Sequence, residues 1–167
     1  MISLLKSIGF GLSLSLLICS QPALVHAQPT LNIEVHNSQN QLLSLDEFKG
    51  QVVYVDFWAS WCGPCRKSFP WLNAMHDKYQ QQGLAIVAIN LDEDKAAAEK
   101  FLAAFPARFH VRFDPQGKSA QTFDLQGMPS SYIFNRKGEL VQQHVGFFSE
   151  HAKNYERNLS QLLKELP

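Results

Sequence analysis

The hydrophobic pattern of the chain alternates short, almost uniformly apolar stretches with longer amphipathic ones. Residues 52–59 and 84–90 are rich in β-branched, aromatic and other apolar side chains, which is typical of strands buried on both faces of a sheet. Residues 64–82 carry apolar side chains at helical spacing and predict a helix that Pro70 kinks and Gly83 ends. The apolar positions of this helix are Phe69, Leu72, Met75 and Tyr79.

Shorter elements are predicted on either side of this unit. Residues 31–35 alternate like an edge strand, Ser44 begins a capping box with a short helical turn, and Ser149 caps a last helix. The other predicted strands are 111–113, 131–135 and 139–145, and the other predicted helices are 92–105 and 118–123. The last helix has Tyr155, Leu159, Leu162 and Leu166 on one face. The elements together predict an α/β fold, a central mixed β-sheet with helices on both faces.

The first residues differ from the rest of the chain. Of its 167 residues, 46% are hydrophobic and 18% are charged, as in a soluble globular protein of one domain. At the N-terminus, however, Lys6 precedes an apolar stretch over residues 8–19, and Ala27 ends a tripeptide that suits signal peptidase. We therefore predict a signal peptide over 1–27 and one domain over 28–167. The alternative is an uncleaved N-terminal membrane anchor, although a spanning helix needs about 20 apolar residues.

Cleavage after Ala27 changes the charge and the cysteine content. It leaves 14 basic and 15 acidic residues, so nucleic acid is not an expected partner. The mature chain would be periplasmic or otherwise extracytoplasmic, where disulfides form and persist. Cys19 is removed with the signal peptide, which leaves Cys62 and Cys65 with no partner but each other.

The spacing of these two cysteines suits reversible disulfide chemistry. Cys62 comes just before the predicted helix, whose N-terminal N–H groups and dipole stabilise a thiolate and lower its pKa. Cys65, inside the first turn, is placed to resolve the mixed disulfide that Cys62 forms with a substrate. Two other interpretations are a stabilising disulfide, which so short a loop makes weak, and half of a zinc site completed by two histidines.

Asp56 is a candidate general acid and base. It lies in the middle of an apolar strand, where an unpaired carboxylate is costly and tends to keep its proton. A raised pKa would suit proton transfer with Cys65. The alternative is a solvated residue at a sheet edge. Of the neighbouring tryptophans, Trp58 is expected to pack in the core and Trp61 to line the substrate surface.

The segment over residues 58–65, Trp-Ala-Ser-Trp-Cys-Gly-Pro-Cys, resembles the active-site junction of the thioredoxin superfamily. Pro70 matches its helix-kinking proline, residues 127–132 resemble its cis-proline loop, and Gly146 matches a glycine of its substrate groove. The signal peptide, the Ala-Ser-Trp-Cys sequence and the extra helix over 92–105, inserted after the second core strand, resemble the exported TlpA-like (ResA-like) branch. That branch contributes reductants for extracytoplasmic thiols, including cytochrome c maturation.

The resemblance implies roles for several further residues. The bond before Pro129 is expected to be cis, so that the Met128 backbone faces Cys62 and can pair with an extended substrate. Asp56 occupies the place of thioredoxin's buried acid, but Ala88 stands where thioredoxin has a lysine. Ser68 stands where many relatives have a glutamate. The expected substrate-binding residues are Trp61, Gly63, Pro64, Met128 and Pro129.

The sequence thus predicts a thioredoxin-like thiol:disulfide oxidoreductase that reduces protein disulfides through Cys62 and Cys65. It needs no cofactor beyond this redox-active disulfide. Its expected partners are protein thiols and disulfides, and a membrane thiol transporter of the DsbD kind as electron donor. Two alternatives stay open: a disulfide oxidase or isomerase, and a thioredoxin-fold metallochaperone that holds Cu(I) on the two thiols.

Overall fold

The computed structural model describes residues 28–165, which form one seven-stranded mixed sheet with helices on both faces. The strand order is β2-β1-β5-β4-β3-β6-β7. The central strands β3, β4 and β5 are parallel, and the other neighbours are antiparallel. The strands are β1 (Glu34–His36), β2 (Leu42–Ser44), β3 (Val52–Trp58), β4 (Leu84–Asn90), β5 (His110–Phe113), β6 (Ser130–Phe134) and β7 (Leu140–Val145).

Within residues 28–165, four α-helices and three short 3-10 helices connect or follow the strands. The α-helices are α1 (Cys65–Tyr79), α2 (Lys95–Ala104), α3 (Lys118–Thr122) and α4 (Ala152–Leu162). The 3-10 helices are Leu45–Phe48, Gln80–Gln82 and Ser149–His151. The predicted α/β architecture is confirmed, including the extra helix α2 after β4, the strand that pairs with β3. None of the helices between residues 28 and 165 has the length and apolar character needed to cross a bilayer.

The sheet separates two apolar cores, because successive side chains of a strand point to opposite faces. From β3, Tyr54 and Trp58 enter the core beneath α1 and α4, whereas Val55 and Phe57 enter the core on the opposite face. Both cysteines belong to the first core. The redox pair therefore lies at the edge of a packed interior that also contains Phe69, Leu72, Phe101 and Leu159.

The N-terminal edge of the sheet differs from the prediction. The strand expected over residues 31–35 is found at Glu34–His36, and β2 at Leu42–Ser44 was not predicted. Leu31 is 1% exposed, so the alternation before β1 reflects burial rather than strand pairing. Leu42 is 51% exposed, which leaves β2 without the hydrophobic face that identifies a strand in a sequence.

Two helix starts also differ. The helix expected from Asp92 begins at Lys95, because the Asp94 side chain accepts the Ala96 N–H at 2.9 Å and caps it. Ser149 does not cap the last helix: it begins a 3-10 helix, and α4 starts at Ala152 without a side-chain cap. Of the residues expected on one face of α4, Tyr155 and Leu159 are buried and Leu162 packs against the core. Residues 1–27, with the predicted cleavage site, and Leu166 lie outside the described residues.

Candidate active site

The two cysteines of the predicted redox pair are joined where β3 leads into α1. The Cys62–Cys65 disulfide has an S–S distance of 2.04 Å and a Cα–Cα distance of 5.4 Å. Cys65 is the first residue of α1, and its N–H donates to Cys62 Sγ at 3.3 Å. The segment before the helix is a turn, closed by the hydrogen bond from the Cys62 N–H to the Ala59 carbonyl at 3.1 Å. The sequence therefore predicted both the pair and its place before the helix.

The cysteines differ in their access to solvent. Cys62 is 4% exposed, whereas Cys65 is 0% exposed. The neighbours of Cys62 in the chain are exposed to solvent: Trp61 is 69% exposed, and Gly63 and Pro64 are also exposed. An attacking sulfur can reach Cys62 and cannot reach Cys65. This asymmetry matches the predicted order, with Cys62 as nucleophile and Cys65 as resolving thiol.

The N-terminus of α1 supplies a positive electrostatic environment. The first turn contains no acidic residue, and the helix is 15 residues long, so its dipole directs positive potential toward the cysteines. The Cys65 N–H points at the Cys62 sulfur rather than at a backbone acceptor. Once the disulfide is reduced, this donor and the dipole favour a thiolate on Cys62. The helix continues through Pro70, which lies in its interior.

The loop before β6 has the cis bond that the resemblance implied. The Met128–Pro129 peptide bond is cis. Pro129 is buried, and its carbonyl accepts the Gly146 N–H at 2.7 Å. Within residues 28–165 the Met128 N–H and carbonyl make no hydrogen bond, although its side chain packs against the core that holds both cysteines. The Met128 backbone is therefore free to pair with an added strand.

Gly146 closes the far side of this loop. Its φ is +81°, a conformation that non-glycine residues rarely adopt, and a Cβ there would lie 3.1 Å from the Phe148 ring. Phe148 is 49% exposed and Val145 is 50% exposed. Trp61, which is also exposed, is the third large apolar side chain on the surface of these segments.

Asp56 is buried, as predicted, and belongs to the cysteine side of the sheet. It is 2% exposed, and in its strand it alternates with Tyr54 and Trp58 on the face beneath α1. Within residues 28–165 its side chain has no hydrogen-bond or ionic partner. Burial raises the pKa of Asp56 well above its ordinary value. Its catalytic role stays a prediction, which its burial on the cysteine side of the sheet and its raised pKa support.

Sequence reasoning named Ala88 beside Asp56 but missed Tyr54 and Ser131. Its sheet neighbours are Ala88 and Ser131, and the Tyr54 hydroxyl donates to Ser131 Oγ at 2.8 Å. Burial, and then the charge of Asp56, raise the pKa of Tyr54. The only available signal was the two-residue period that places Tyr54 and Asp56 on one face.

Two further polar residues touch the active-site segment. Ser68 is 1% exposed and its hydroxyl donates to the Cys65 carbonyl at 3.2 Å. Asp92, which the sequence placed inside a helix, instead bonds Ser60, two residues before Cys62. No local pattern connects Asp92 with Ser60, because 32 residues separate them.

This fold, with a dithiol–disulfide pair at a strand-to-helix junction and a cis proline before β6, defines a thioredoxin-like protein with a redox-capable cysteine site. The sequence matches the Redoxin family over residues 26–161. The chain therefore belongs to the Redoxin family.

Named relatives agree with this membership. The thiol-disulfide oxidoreductase ResA of Bacillus thuringiensis subsp. konkukian is 30% identical over 115 residues, which cover 69% of this chain and 66% of that protein. The chain thus spans just under two thirds of the length of this relative. The structure of a Chlorobium tepidum protein named as a thiol:disulfide interchange protein DsbE is 40% identical, with a TM-score of 0.78, and the match covers 84% of this chain and 99% of that one.

A more distant structure shows the fold alone. It is the solution structure of a Bacteroides thetaiotaomicron protein named as a protein disulfide isomerase, which is 21% identical with a TM-score of 0.74. The match covers 83% of this chain and 89% of that one.

Proposed function

We propose that this protein is an extracytoplasmic thiol:disulfide oxidoreductase that reduces disulfides in other proteins. The observation that carries the proposal is the asymmetric pair, in which Cys62 has access to solvent and Cys65 has none. Membership of the Redoxin family and the oxidoreductase names of its relatives support the same class. The reaction is a two-electron exchange of one disulfide for another.

The reduced pair acts in two steps. The Cys62 thiolate attacks one sulfur of a substrate disulfide, so that a Cys62–substrate bond forms, the substrate bond breaks, and the second substrate sulfur leaves as a thiolate. Cys65 then loses its proton and attacks Cys62 Sγ. The Cys62–Cys65 disulfide forms and the first substrate sulfur leaves as the second thiolate. Two electrons have passed from the dithiol to the substrate.

Asp56 is the group that accepts the Cys65 proton in this scheme. It is buried on the same face of the sheet as Cys65, in a core that excludes water. Its raised pKa brings it closer to that of a thiol, which makes the transfer less uphill. Since Ala88 is its neighbour on β4, no lysine on that strand shares the proton.

An extended segment of substrate would bind beside the pair. The free N–H and carbonyl of Met128, held by the cis Pro129 loop, provide backbone hydrogen bonds. Trp61, Gly63 and Pro64 flank Cys62 in the chain, and all three are exposed. Apolar substrate side chains would contact the exposed Trp61 and Phe148.

The proposed location and electron donor depend on the N-terminal segment. A signal peptide cleaved after Ala27 would deliver the domain to an oxidising compartment, where a reductant needs electrons from the cytoplasm. A membrane thiol transporter of the DsbD kind would supply them. Trapping free thiols in cells that lack such transporters should find Cys62 and Cys65 oxidised. If they stayed reduced, that donor would be excluded.

Catalysed reduction of insulin by dithiothreitol tests the activity. The purified protein should accelerate the precipitation of insulin chains, and Cys62→Ser should abolish this acceleration. A wild-type protein that is no faster than dithiothreitol alone would contradict the proposal. If Cu(I) then protected both thiols from alkylation, the metallochaperone alternative would replace it.

A further inference from the structure

A buried carboxylate outside the cysteine pair holds the segment that leads into it. Asp92 lies just beyond the C-terminal end of β4 and is 7% exposed. Its Oδ2 accepts the Ser60 N–H at 2.8 Å, and its Oδ1 accepts the Ser60 hydroxyl at 2.9 Å. Ser60 comes two residues before Cys62. One carboxylate therefore fixes both the backbone and the side chain of the active-site segment.

Two neighbours of Asp92 in the chain strengthen this attachment. Asn90, which is 1% exposed, donates from Nδ2 to Asp92 Oδ2 at 2.8 Å and accepts the Asp92 N–H on Oδ1 at 3.1 Å. The Leu91 N–H donates to the Trp58 carbonyl at 3.0 Å. The segment just after β4 is thus hydrogen-bonded to Trp58, at the end of β3, and to Ser60, just beyond it.

These donors are the partners of the Asp92 carboxylate. Within residues 28–165 no lysine, arginine or histidine forms an ion pair with it. A buried carboxylate without a cation is stabilised by the hydrogen bonds it accepts, and such charge-assisted bonds are the stronger ones in proteins. Moving Ser60 away from Asp92 would leave this carboxylate short of two of its three donors. The attachment therefore resists displacement of Ser60.

We propose that Asp92 is a positioning residue for Cys62, acting through Ser60. It holds the Ser60–Cys62 segment so that the Cys62 sulfur stays at the N-terminus of α1, 3.3 Å from the Cys65 N–H. The side-chain hydrogen bonds of Asp92 go to Ser60 and Asn90 and not to either cysteine. The inference rests on the proposed function, since it concerns thiol exchange at the same site.

The chain contains a matched control for this contact. Asp114 is also 7% exposed, and its Oδ2 accepts the Ser119 N–H at 2.7 Å and the Ser119 hydroxyl at 2.5 Å. The same kind of carboxylate–serine contact therefore occurs at the start of α3 rather than beside Cys62. Asp114→Ala removes a similar amount of hydrogen bonding without touching the active-site segment.

The test compares Asp92→Ala and Asp114→Ala, each purified from cells expressing the full-length chain and then reduced. The readouts are the urea midpoint, the rate of insulin reduction, and the pH dependence of Cys62 alkylation by iodoacetamide, located by mass spectrometry. Asp92→Ala should slow both reactions at pH 7 by about tenfold or more and move the alkylation midpoint to higher pH. Asp114→Ala should lower the urea midpoint comparably while both rates stay within about twofold of wild type.

Ser60 variants keep the test decisive if Asp92→Ala does not fold. Ser60→Ala should give a smaller change in the same direction, and Ser60→Thr, which keeps the hydroxyl, should restore the wild-type rate. Where all variants fold, the double variant Ser60→Ala/Asp92→Ala should react no more slowly than Asp92→Ala alone, because both substitutions remove the same contact.

Three results would overturn the inference. The first is equal alkylation behaviour of Asp92→Ala and Asp114→Ala, and the second is a Ser60→Ala variant that reacts like wild type. The third is an alkylation midpoint at lower pH in Asp92→Ala, which would show that Asp92 acts through its charge. The alkylation comparison does not depend on turnover. A wild-type protein that failed to reduce insulin would therefore contradict the proposed function while the role of Asp92 was still decided.

Discussion

At the scale of single residues, the two cysteines share a disulfide but differ in environment. Cys62 is partly accessible beside an exposed tryptophan, and Cys65 is enclosed in the core beneath the sheet-facing side of α1. The chemistry assigned to each follows from this difference. The motif spacing predicted the pair, and the helix start predicted which cysteine is nucleophilic.

Cys65→Ser should trap substrates on Cys62. The nucleophile is still accessible in this variant, but no thiol can resolve the mixed disulfide, so covalent complexes accumulate. Non-reducing electrophoresis of cell extracts, with and without dithiothreitol, would show them. The same bands in Cys62→Ser, or none in Cys65→Ser, would contradict the assigned order of attack.

Asp56 should make the stability of the oxidised protein depend on pH. Its pKa is raised by burial, so above the ordinary aspartate pKa the unfolded chain ionises while the folded chain keeps the proton. Stability is therefore greatest below that ordinary pKa and falls as pH rises toward the folded-state pKa. The slope can reach about 1.4 kcal/mol per pH unit. Asp56→Asn removes this pH-dependent loss. The stability of the variant, measured relative to wild type, should therefore increase as pH rises.

Urea unfolding between pH 4 and pH 8 would check the Asp56 prediction. Asp77→Asn is a control whose difference from wild type should stay constant over this range, because a hydrogen bond from Arg108 lowers the pKa of the exposed Asp77. Any stability that Asp77 contributes is present above its ordinary pKa. It is lost as pH falls through the lowered pKa of the folded state. A difference between Asp56→Asn and wild type that did not grow with pH would contradict a raised pKa at Asp56.

At the scale of elements, α2 shows how a non-local contact shifts a boundary. Its composition favours a helix from Asp92 onward, yet Asp92 bonds Ser60 and the helix begins three residues later behind the Asp94 cap. Local propensity predicted that the helix exists. It did not predict the start, which lies at the Asp94 cap, while Asp92 bonds a serine 32 residues away.

Removing the Asp94 cap should destabilise the fold without affecting the chemistry. Asp94→Ala loses the hydrogen bond to the Ala96 N–H, which costs about 1 kcal/mol in typical helices. Urea unfolding would measure the loss, while the rate of insulin reduction should stay within about twofold of wild type. A loss of activity as large as that expected for Asp92→Ala would mean that α2 itself shapes the site.

The last helix should be held mainly by its buried leucine. Leu159 is 0% exposed and joins the core that contains the cysteines, so Leu159→Ala should cost about 2–5 kcal/mol of unfolding free energy. Leu42→Ala makes the same chemical change at a position that is 51% exposed and should cost less than about 0.5 kcal/mol. Chemical denaturation of both variants in the oxidised state would test this, and equal losses would contradict the packing of α4.

At the scale of the whole molecule, the sequence predicted what depends on local pattern and motif. The two long central strands, the helix between them, the cysteine pair and the cis Pro129 loop were all foreseen. The short strand Leu42–Ser44 was not, since its exposed Leu42 leaves it without a hydrophobic face. The attachment of Ser60 to Asp92 was not foreseen either, since it joins distant segments. Local pattern thus predicted the reactive atoms, and only the folded chain showed what holds them in place.

The equilibrium reduction potential of the Cys62–Cys65 pair tests the central proposal most directly. It would be measured on the purified protein by titration against a dithiol redox buffer, with free thiols counted by alkylation and mass spectrometry. A reductase should give a value near or below that of thioredoxin, ~−270 mV. A value near that of strong disulfide oxidants, ~−120 mV, would reverse the direction of electron flow and contradict the account.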